Sequence, residues 1–380
     1  MSLLSAAWGQ VHIAGESGAV FDAASGKLLW SKNLNEHLYP ASTTKIMTAL
    51  LLIEHCAPDD QIVAPSDVED VRGSSMHLMP GEAVSAREML YAILLRSAND
   101  GCYASAMHIA GSVPAFADLM NERAQELGCT HTHFNNPNGL PDPLHYTTAH
   151  DLGLIARAAM QYPVFRETVR TVRHEIVRSM NQKDLLMINR DKLLVKDPTM
   201  DGIKTGWTDS AGHCFVGSAV RNGYRVITVV MKTGNWQTDT DAMMNWAFAT
   251  HKQVLEATAG DQVGQVPVVG GEQNQVAVAP NANLYDCERK GENTACQGHL
   301  ILSSQATAPI AKGQQLGEWE AVDSDGFTQR IPVFALAAVP KLPEKPSSTA
   351  SFAVIGAAMA GGAVVLRSRA RKLGIRAAKL

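Results

Sequence analysis

The stretch Pro40-Ala41-Ser42-Thr43-Thr44-Lys45-Ile46-Met47-Thr48-Ala49 decides how this chain is read. If Ser42 opens a helix, Lys45 lies one turn on and on the same face. The run Ile46-Met47-Thr48-Ala49-Leu50-Leu51-Leu52-Ile53-Glu54 has the texture of a buried helix. Pro40 suits the position just before its start, where a missing N–H matters little. Ser42 then sits at the positive end of the helix dipole, where backbone N–H groups can hold a developing oxyanion. The same field, with partial burial and a second cation nearby, favours a neutral Lys45, as a general base must be. The plain alternative is a capping serine and a solvated lysine, because serine is common at helix N termini.

Two further motifs weigh against that alternative. Ser97-Ala98-Asn99 falls between helix-like runs, Ala86 to Leu95 and Cys102 to Ala110. A turn there can project a hydroxyl and an amide into a cleft; an ordinary helix-linking turn is the simpler reading. Lys204-Thr205-Gly206 follows Met200-Asp201-Gly202-Ile203 and precedes Trp207-Thr208-Asp209. A strand edge with a small glycine lets a substrate backbone lie alongside, and Lys204 adds positive charge for a carboxylate. A surface strand with a basic end is the alternative. S-x-x-K, S-x-N and K-T-G in this order mark serine acyl-transferases that act on D-Ala-D-Ala peptides and β-lactams. A Ser/Lys pair supplies the nucleophile and its base.

Residues from about 18 to 340 resemble the low-molecular-mass penicillin-binding proteins, the serine-type D-alanyl-D-alanine carboxypeptidases of bacterial cell walls. The resemblance rests on the Pro40 to Ala49 stretch, Gly73-Ser74-Ser75-Met76, Asn136-Pro137-Asn138-Gly139-Leu140-Pro141 and Asp201-Gly202-Ile203-Lys204-Thr205-Gly206. It implies an α/β (α+β) penicillin-binding transpeptidase/β-lactamase-like fold, an antiparallel sheet with a helical lobe. By matching position, Ser42 is the expected nucleophile and Lys45 its base. Ser97 serves the proton relay and Asn99 holds the substrate amide. Lys204 and Thr205, with Gly206 and Trp207 beside them, bind the substrate's terminal carboxylate. The oxyanion hole is the backbone N–H of Ser42 plus that of Trp207. A second tripeptide, Lys232-Thr233-Gly234, ends the run Tyr224 to Met231 and is expected outside the site, because its flanks do not match the family. Two departures stand out. Many members carry a carboxylate-binding Arg after the last sheet strands, and the segment Gly234 to Met244 has none. Cys102 takes a place where a small apolar residue is usual, and reads as a buried small hydrophobe.

At 380 residues the chain is long enough for two domains, and a net charge of −4 gives no reason to invoke nucleic acid. No C-x-x-C or H-x-x-x-H set appears, so no metal or cofactor is expected; His131 and His133 alone make a weak chelating pair. Of six cysteines, Cys287 and Cys296 flank what looks like a hairpin tip. A disulfide there is left open, since it depends on geometry.

The expected organisation runs as follows. Residues 1–17 are a remnant of a signal region or an irregular N terminus, because Met1 to Gly9 has no basic start and only a short apolar run. Residues 18–260 are the catalytic domain, with a hairpin around Ser25-Gly26, helical runs to about 160, a hairpin at Asn222-Gly223 and a helix near Asp241 to Leu255. Residues 261–338 are a small all-β domain, and 339–349 a Pro-rich linker. The uncharged run 350–366 reads as a transmembrane helix. The basic 367–380 reads as a cytoplasmic tail, which places the catalytic domain outside the cell membrane.

The expected function is removal of the terminal D-alanine from peptidoglycan stem pentapeptides through an acyl-Ser42 intermediate, with β-lactam antibiotics as inhibitors. The alternatives are a D,D-endopeptidase or β-lactamase on the same fold, or a degenerate wall-binding scaffold.

Overall fold

The structure, a computed structural model, describes residues 11–292 and 296–343. The expected membrane segment 350–366 and the tail 367–380 lie outside the described residues. Among the described residues no helix is long and apolar enough to cross a membrane.

The chain begins with the hairpin β1 (Ser17–Asp22) and β2 (Leu28–Lys32), then a one-turn 3₁₀ segment (Ala41–Thr44) and α1 (Lys45–His55). The short pair β3 (Gln61–Val63) and β4 (Ala83–Ser85) precedes α2 (Ala86–Tyr91) and a π-helical turn at Ala92–Arg96. The helices α3 (Asn99–Ala110), α4 (Val113–Glu126), α5 (Ala149–Ala159) and α6 (Pro163–Arg170) follow. Next come a second short pair, β5 (Arg173–Glu175) and β6 (Leu186–Ile188), and the turn-length α7 (Leu193–Lys196). The chain then returns to strands with β7 (Met200–Thr208), β8 (Gly212–Arg221) and β9 (Tyr224–Thr233). After them stand α8 (Trp236–Thr250) and β10 (His251–Ala257).

The main sheet is antiparallel in the order β2-β1-β9-β8-β7. β9 explains why its sequence is apolar without alternation. Ile227, Val229 and Met231 join the core shared with α1 and α5, while Val226 and Val230 face Met243, Met244 and Phe248 of α8. A strand buried on both faces reads as a continuous apolar run. Asn222 and Gly223 both take positive φ, 53° and 80°, as a two-residue hairpin turn of the primed type requires. β7 is left at the edge, beside the 3₁₀ turn that carries Ser42.

α8 differs from the expected 241–255. It starts earlier because the Asn235 side chain accepts the Thr238 N–H and caps it. It stops at Thr250 because His251 to Ala257 pair with a later strand, Leu284–Arg289.

By contacts the described chain divides into two compact units. One runs to Thr258 and takes in Ala282–Gly298 and Ala321–Gln329; the other holds Ala259–Asn281, His299–Glu320 and the stretch from Arg330 on. The second unit is all β. Its strands are β11 (Gly264–Val269), β12 (Gln275–Pro280), β14 (Gln297–Leu302), β15 (Ala306–Thr307), β16 (Gln315–Val322) and β17 (Thr328–Ala335), with β13 (Leu284–Arg289) given over to β10. The sheet order is β14-β16-β17-β12-β11-β15, over a core that includes Val266, Val278, Ile310 and Val333. Cys287 and Cys296 are free thiols. The strands flanking the two cysteines do not pair with each other: β13 pairs with β10 and β14 with β16.

A buried ion pair braces the loop that precedes β4. Arg178 donates to both carboxylate oxygens of Glu82 at 2.6 Å, and to the carbonyls of Met76 at 2.8 Å and His77 at 3.0 Å. Both side chains are fully shut off from solvent. Removing one partner leaves an uncompensated buried charge. Arg178→Met is therefore expected to lower the free energy of unfolding by about 3–5 kcal/mol. Urea unfolding of the two proteins side by side measures it, and a loss under about 1 kcal/mol, the level of an exposed pair, contradicts it.

Candidate active site

Ser42 sits inside the 3₁₀ turn rather than at the first residue of α1. No side chain caps that turn or α1, so the capping-serine alternative does not describe it. Ala41 has φ +47°, a left-handed kink that swings the turn toward β7. Lys45 opens α1 and is completely buried. Its Nζ donates to Ser42 Oγ at 2.9 Å and to the Asn138 carbonyl at 2.6 Å. Burial is the largest influence on this amine and pulls it down to about 8; Arg190 adds to the effect, while Cys102 and Asp100 oppose it.

The loop Asn136-Pro137-Asn138-Gly139 is pressed beneath this pair. Asn136 Oδ1 accepts the Gly139 N–H at 2.8 Å, and Thr48 donates to the Pro137 carbonyl at 2.5 Å. Gly139 has φ +84°, and a Cβ on it would fall 1.8 Å from the Ala41 carbonyl oxygen. Only glycine lets the loop come close enough to give Lys45 its carbonyl. His145 supports the same floor. Its Nδ1 accepts the Asn135 N–H at 3.0 Å, which leaves Nε2 as the donor to Thr44 Oγ1 at 2.9 Å. Burial pulls His145 down to about 4, which keeps this neutral tautomer at physiological pH.

Across from Ser42 runs β7. A Cβ on Gly206 would lie 3.0 Å from the Ser42 backbone nitrogen, so here too glycine permits a close approach. Thr205, Gly206 and Trp207 line the cleft, and Trp207 is 57% exposed. Lys204 is different from its expected placement. It is 1% exposed, donates from Nζ to the Thr205 carbonyl at 3.1 Å and does not line the cleft. Burial, then the charges of Lys45 and Arg190, push its amine well below the ordinary lysine range.

The third wall begins where the π-helical turn ends. Ser97 has φ +66°, and its Oγ is buried with no hydrogen-bond partner among the described residues. Asn99 starts α3; its amide donates to the Arg72 carbonyl at 2.7 Å, and its N–H to the Ser74 carbonyl at 2.7 Å. Asp100 accepts the N–H groups of Met76 and Leu78, each at 3.0 Å. The loop carrying Gly73-Ser74-Ser75-Met76 is thus fastened to the start of α3.

These walls enclose a cleft of about 430 Å³. Of the residues singled out in the sequence, Ser42, Ser97, Asn99, Thr205, Gly206 and Trp207 line it, while Lys45 and Lys204 lie behind its surface. Lys232 lies elsewhere, paired with Glu16 at 2.7 Å. Cys102 is buried and its thiol pushed up to about 12 by that burial, which removes thiolate reactivity at neutral pH. His133 spends Nδ1 on the Leu144 carbonyl at 2.6 Å, and His131 faces His37. Sequence reasoning missed Arg190, Lys192, His213 and Trp236, all on the cleft wall. Arg190 donates to Ser74 Oγ at 2.9 Å. No spacing rule links these four to the motifs. Trp236 alone lay in a stretch already singled out, as the one aromatic among the residues with no Arg.

The arrangement can activate a hydroxyl beside a buried amine and hold an extended peptide along an edge strand. Residues 5–235 match the family model described as D-alanyl-D-alanine carboxypeptidase, and residues 252–341 match that of the penicillin-binding protein 5 C-terminal domain. The chain is 32% identical to the D-alanyl-D-alanine carboxypeptidase DacF of Bacillus subtilis, over 80% of each chain. To DacC of Escherichia coli, which bears the same description, it is 31% identical over 78% of this chain and 77% of that one. The crystal structure of penicillin binding protein 5 from Haemophilus influenzae superposes with a TM-score of 0.71 at 25% identity, covering 88% of this chain and 99% of that one. The fold is thus that of the penicillin-binding proteins with a C-terminal all-β domain, and the chain belongs to the D-alanyl-D-alanine carboxypeptidase family.

Proposed function

We propose a residue-level course for the D-Ala-D-Ala carboxypeptidase activity of this chain. Ser42 Oγ attacks the carbonyl of the penultimate D-Ala of a peptidoglycan stem peptide. Neutral Lys45 takes the hydroxyl proton as the new C–O bond forms. The backbone N–H groups of Ser42 and Trp207 hold the oxyanion. Collapse breaks the peptide bond; the proton passes through Ser97 Oγ to the leaving amine, and D-alanine departs. Water then releases the acyl group from Ser42 by the same base. Asn99 and the edge of β7 hold the peptide, and Thr205 contacts its carboxylate. Lys204 stays behind the wall, its amine held below the ordinary lysine range by burial, and does not touch the substrate. Arg190 and Lys192 are the Arg and Lys side chains on the cleft wall, and they attract the carboxylate. A β-lactam acylates the same serine. The observation that carries this reading is the 2.9 Å contact between Ser42 Oγ and a buried Lys45 whose amine titrates near 8.

The proposal extends to location. Residues 350–366 anchor the chain in the cell membrane, 367–380 form a cytoplasmic tail, and the catalytic portion works outside. The uncharged run and the basic cluster after it support this.

D-Ala release from a Lys-D-Ala-D-Ala peptide is expected from the wild type and abolished in Ser42→Ala. Release that survives the substitution excludes Ser42 as the nucleophile. Because the base is the unprotonated amine, whose fraction grows with pH, acylation is expected to rise through about 8. Below that point it falls about tenfold per pH unit. Stopped-flow acylation by a chromogenic β-lactam across pH 6 to 10 reads this directly; a flat profile rules out Lys45 as the titrating base.

Trp236→Arg tests how the missing Arg is compensated. A charge-assisted hydrogen bond contributes about 1.5–3 kcal/mol, so KM for the free peptide is expected to fall by about tenfold. The same peptide with a C-terminal amide should gain nothing. Equal gains for acid and amide contradict a carboxylate contact at this position.

A further inference from the structure

We propose that Glu256, Asp286 and Cys296 form a binding site for a divalent cation of the zinc class, separate from the catalytic cleft. All three belong to the compact unit that runs to Thr258 and includes Ala282–Gly298, and none lines the cleft. On the β10–β13 ladder Val254 stands opposite Asp286, Leu255 opposite Tyr285 and Ala257 opposite Leu284. Glu256 is the residue left over in that irregularity, so its carboxylate is free of the normal alternation. The ligand atoms of Glu256, Asp286 and Cys296 all lie within 4.8 Å of one another.

Asp286 makes the cluster more than a gathering of acidic groups. It is completely buried, and among the described residues no N–H or O–H group donates to either of its carboxylate oxygens; the Cys296 thiol is the donor beside it. A buried carboxylate with only a weak thiol donor is costly, and a second carboxylate beside it raises that cost. The nearby cations are committed elsewhere. Lys27 pairs with Asp323 at 2.5 Å and Asp325 at 2.8 Å, and Lys252 pairs with Glu288 at 3.0 Å. The Cys296 backbone N–H faces the Glu256 carboxylate and its thiol faces Asp286, so the sulfur stands beside the two acids.

The donor set selects the ion. A thiolate with carboxylate oxygens suits zinc, whereas magnesium and calcium take oxygen alone. A point central to three atoms 4.8 Å apart is about 2.8 Å from each, so side-chain shifts of about half an ångström reach zinc-ligand distances. Binding releases the Cys296 proton, and water completes the coordination. Cys287 is not a ligand. Its neighbours in β13 point the other way, and its Sγ lies 3.1 Å from the Tyr224 hydroxyl. The ion ties the segment after β13 to β10.

The test uses the full chain, reduced, stripped with a chelator and titrated with zinc sulfate. One zinc per chain is expected, with one proton released and a thermal midpoint that climbs with free zinc. Cobalt(II) in its place should show thiolate-to-metal charge-transfer absorption. Asp286→Asn and Cys296→Ser are each expected to weaken zinc at least about tenfold; Cys296→Ser also loses the cobalt band, and Cys287→Ser keeps both. D-Ala release serves as the check that each variant is folded. If Asp286→Asn does not fold, Cys296→Ser, at a partly exposed position, decides the matter alone. Zinc affinity unchanged in Cys296→Ser, or no zinc bound by the wild type, overturns the proposal.

Discussion

A lysine amine shut away from water beside a serine hydroxyl is the constraint around which this structure is arranged. Among the described residues Lys45 has no carboxylate partner; its Nζ reaches Ser42 Oγ and the Asn138 carbonyl. A pKa near 8 instead of 10.5 corresponds to a penalty of about 3 kcal/mol on the charged form. That penalty is what leaves a lone pair available for the hydroxyl proton. It exists because the Asn136–Gly139 loop from below and β7 from the side close over the amine. Both approaches depend on a missing Cβ, at Gly139 and at Gly206. Backbone conformation, burial and basicity are therefore linked in one place.

Buried polar side chains, together with the apolar core, hold the helical lobe to this centre. Asp100 and Asn99, at the start of α3, bind the backbone of the loop bearing Ser74. Arg178 and Glu82 fasten the next part of the same loop, from Met76 onward. Ser74 in turn receives Arg190. A short polar chain thus runs from the S-x-N motif to the cation on the cleft wall. Asn99 is a clamp on that loop as well as a wall of the cleft.

What could be read from the sequence follows from how local the determining physics is. Ser42 and Lys45 are three residues apart on one turn, and Asn222-Gly223 specifies its hairpin by backbone preference alone. The apolar run of β9 announced a strand buried on both faces. Lys204 was legible in position but not in state, because its burial depends on the lobe packed over β7 and not on its neighbours in sequence. Arg190, His213 and Trp236 reach the cleft from three separate elements, and nothing in their spacing signals it. The π-helical turn before Ser97 and the early start of α8 are set by tertiary fit and by the Asn235 cap. Cys287 and Cys296 were near in sequence, but β13 pairs with β10 and β14 with β16, so their side chains go to different surroundings.

The two buried lysines bear on how a negatively charged peptide end is recognised. Burial disfavours the charged form of both; Lys45 further depresses that of Lys204 by repulsion, and Arg190 pushes on both. Adding a third positive charge on the far wall would push Lys45 lower still and weaken it as a base. An aromatic Trp236 at that wall is consistent with such a balance. It lines the cleft without adding to the field that sets the amine near 8. Carboxylate attraction and serine activation draw on the same positive potential, and residues that strengthen one act on the other through Lys45.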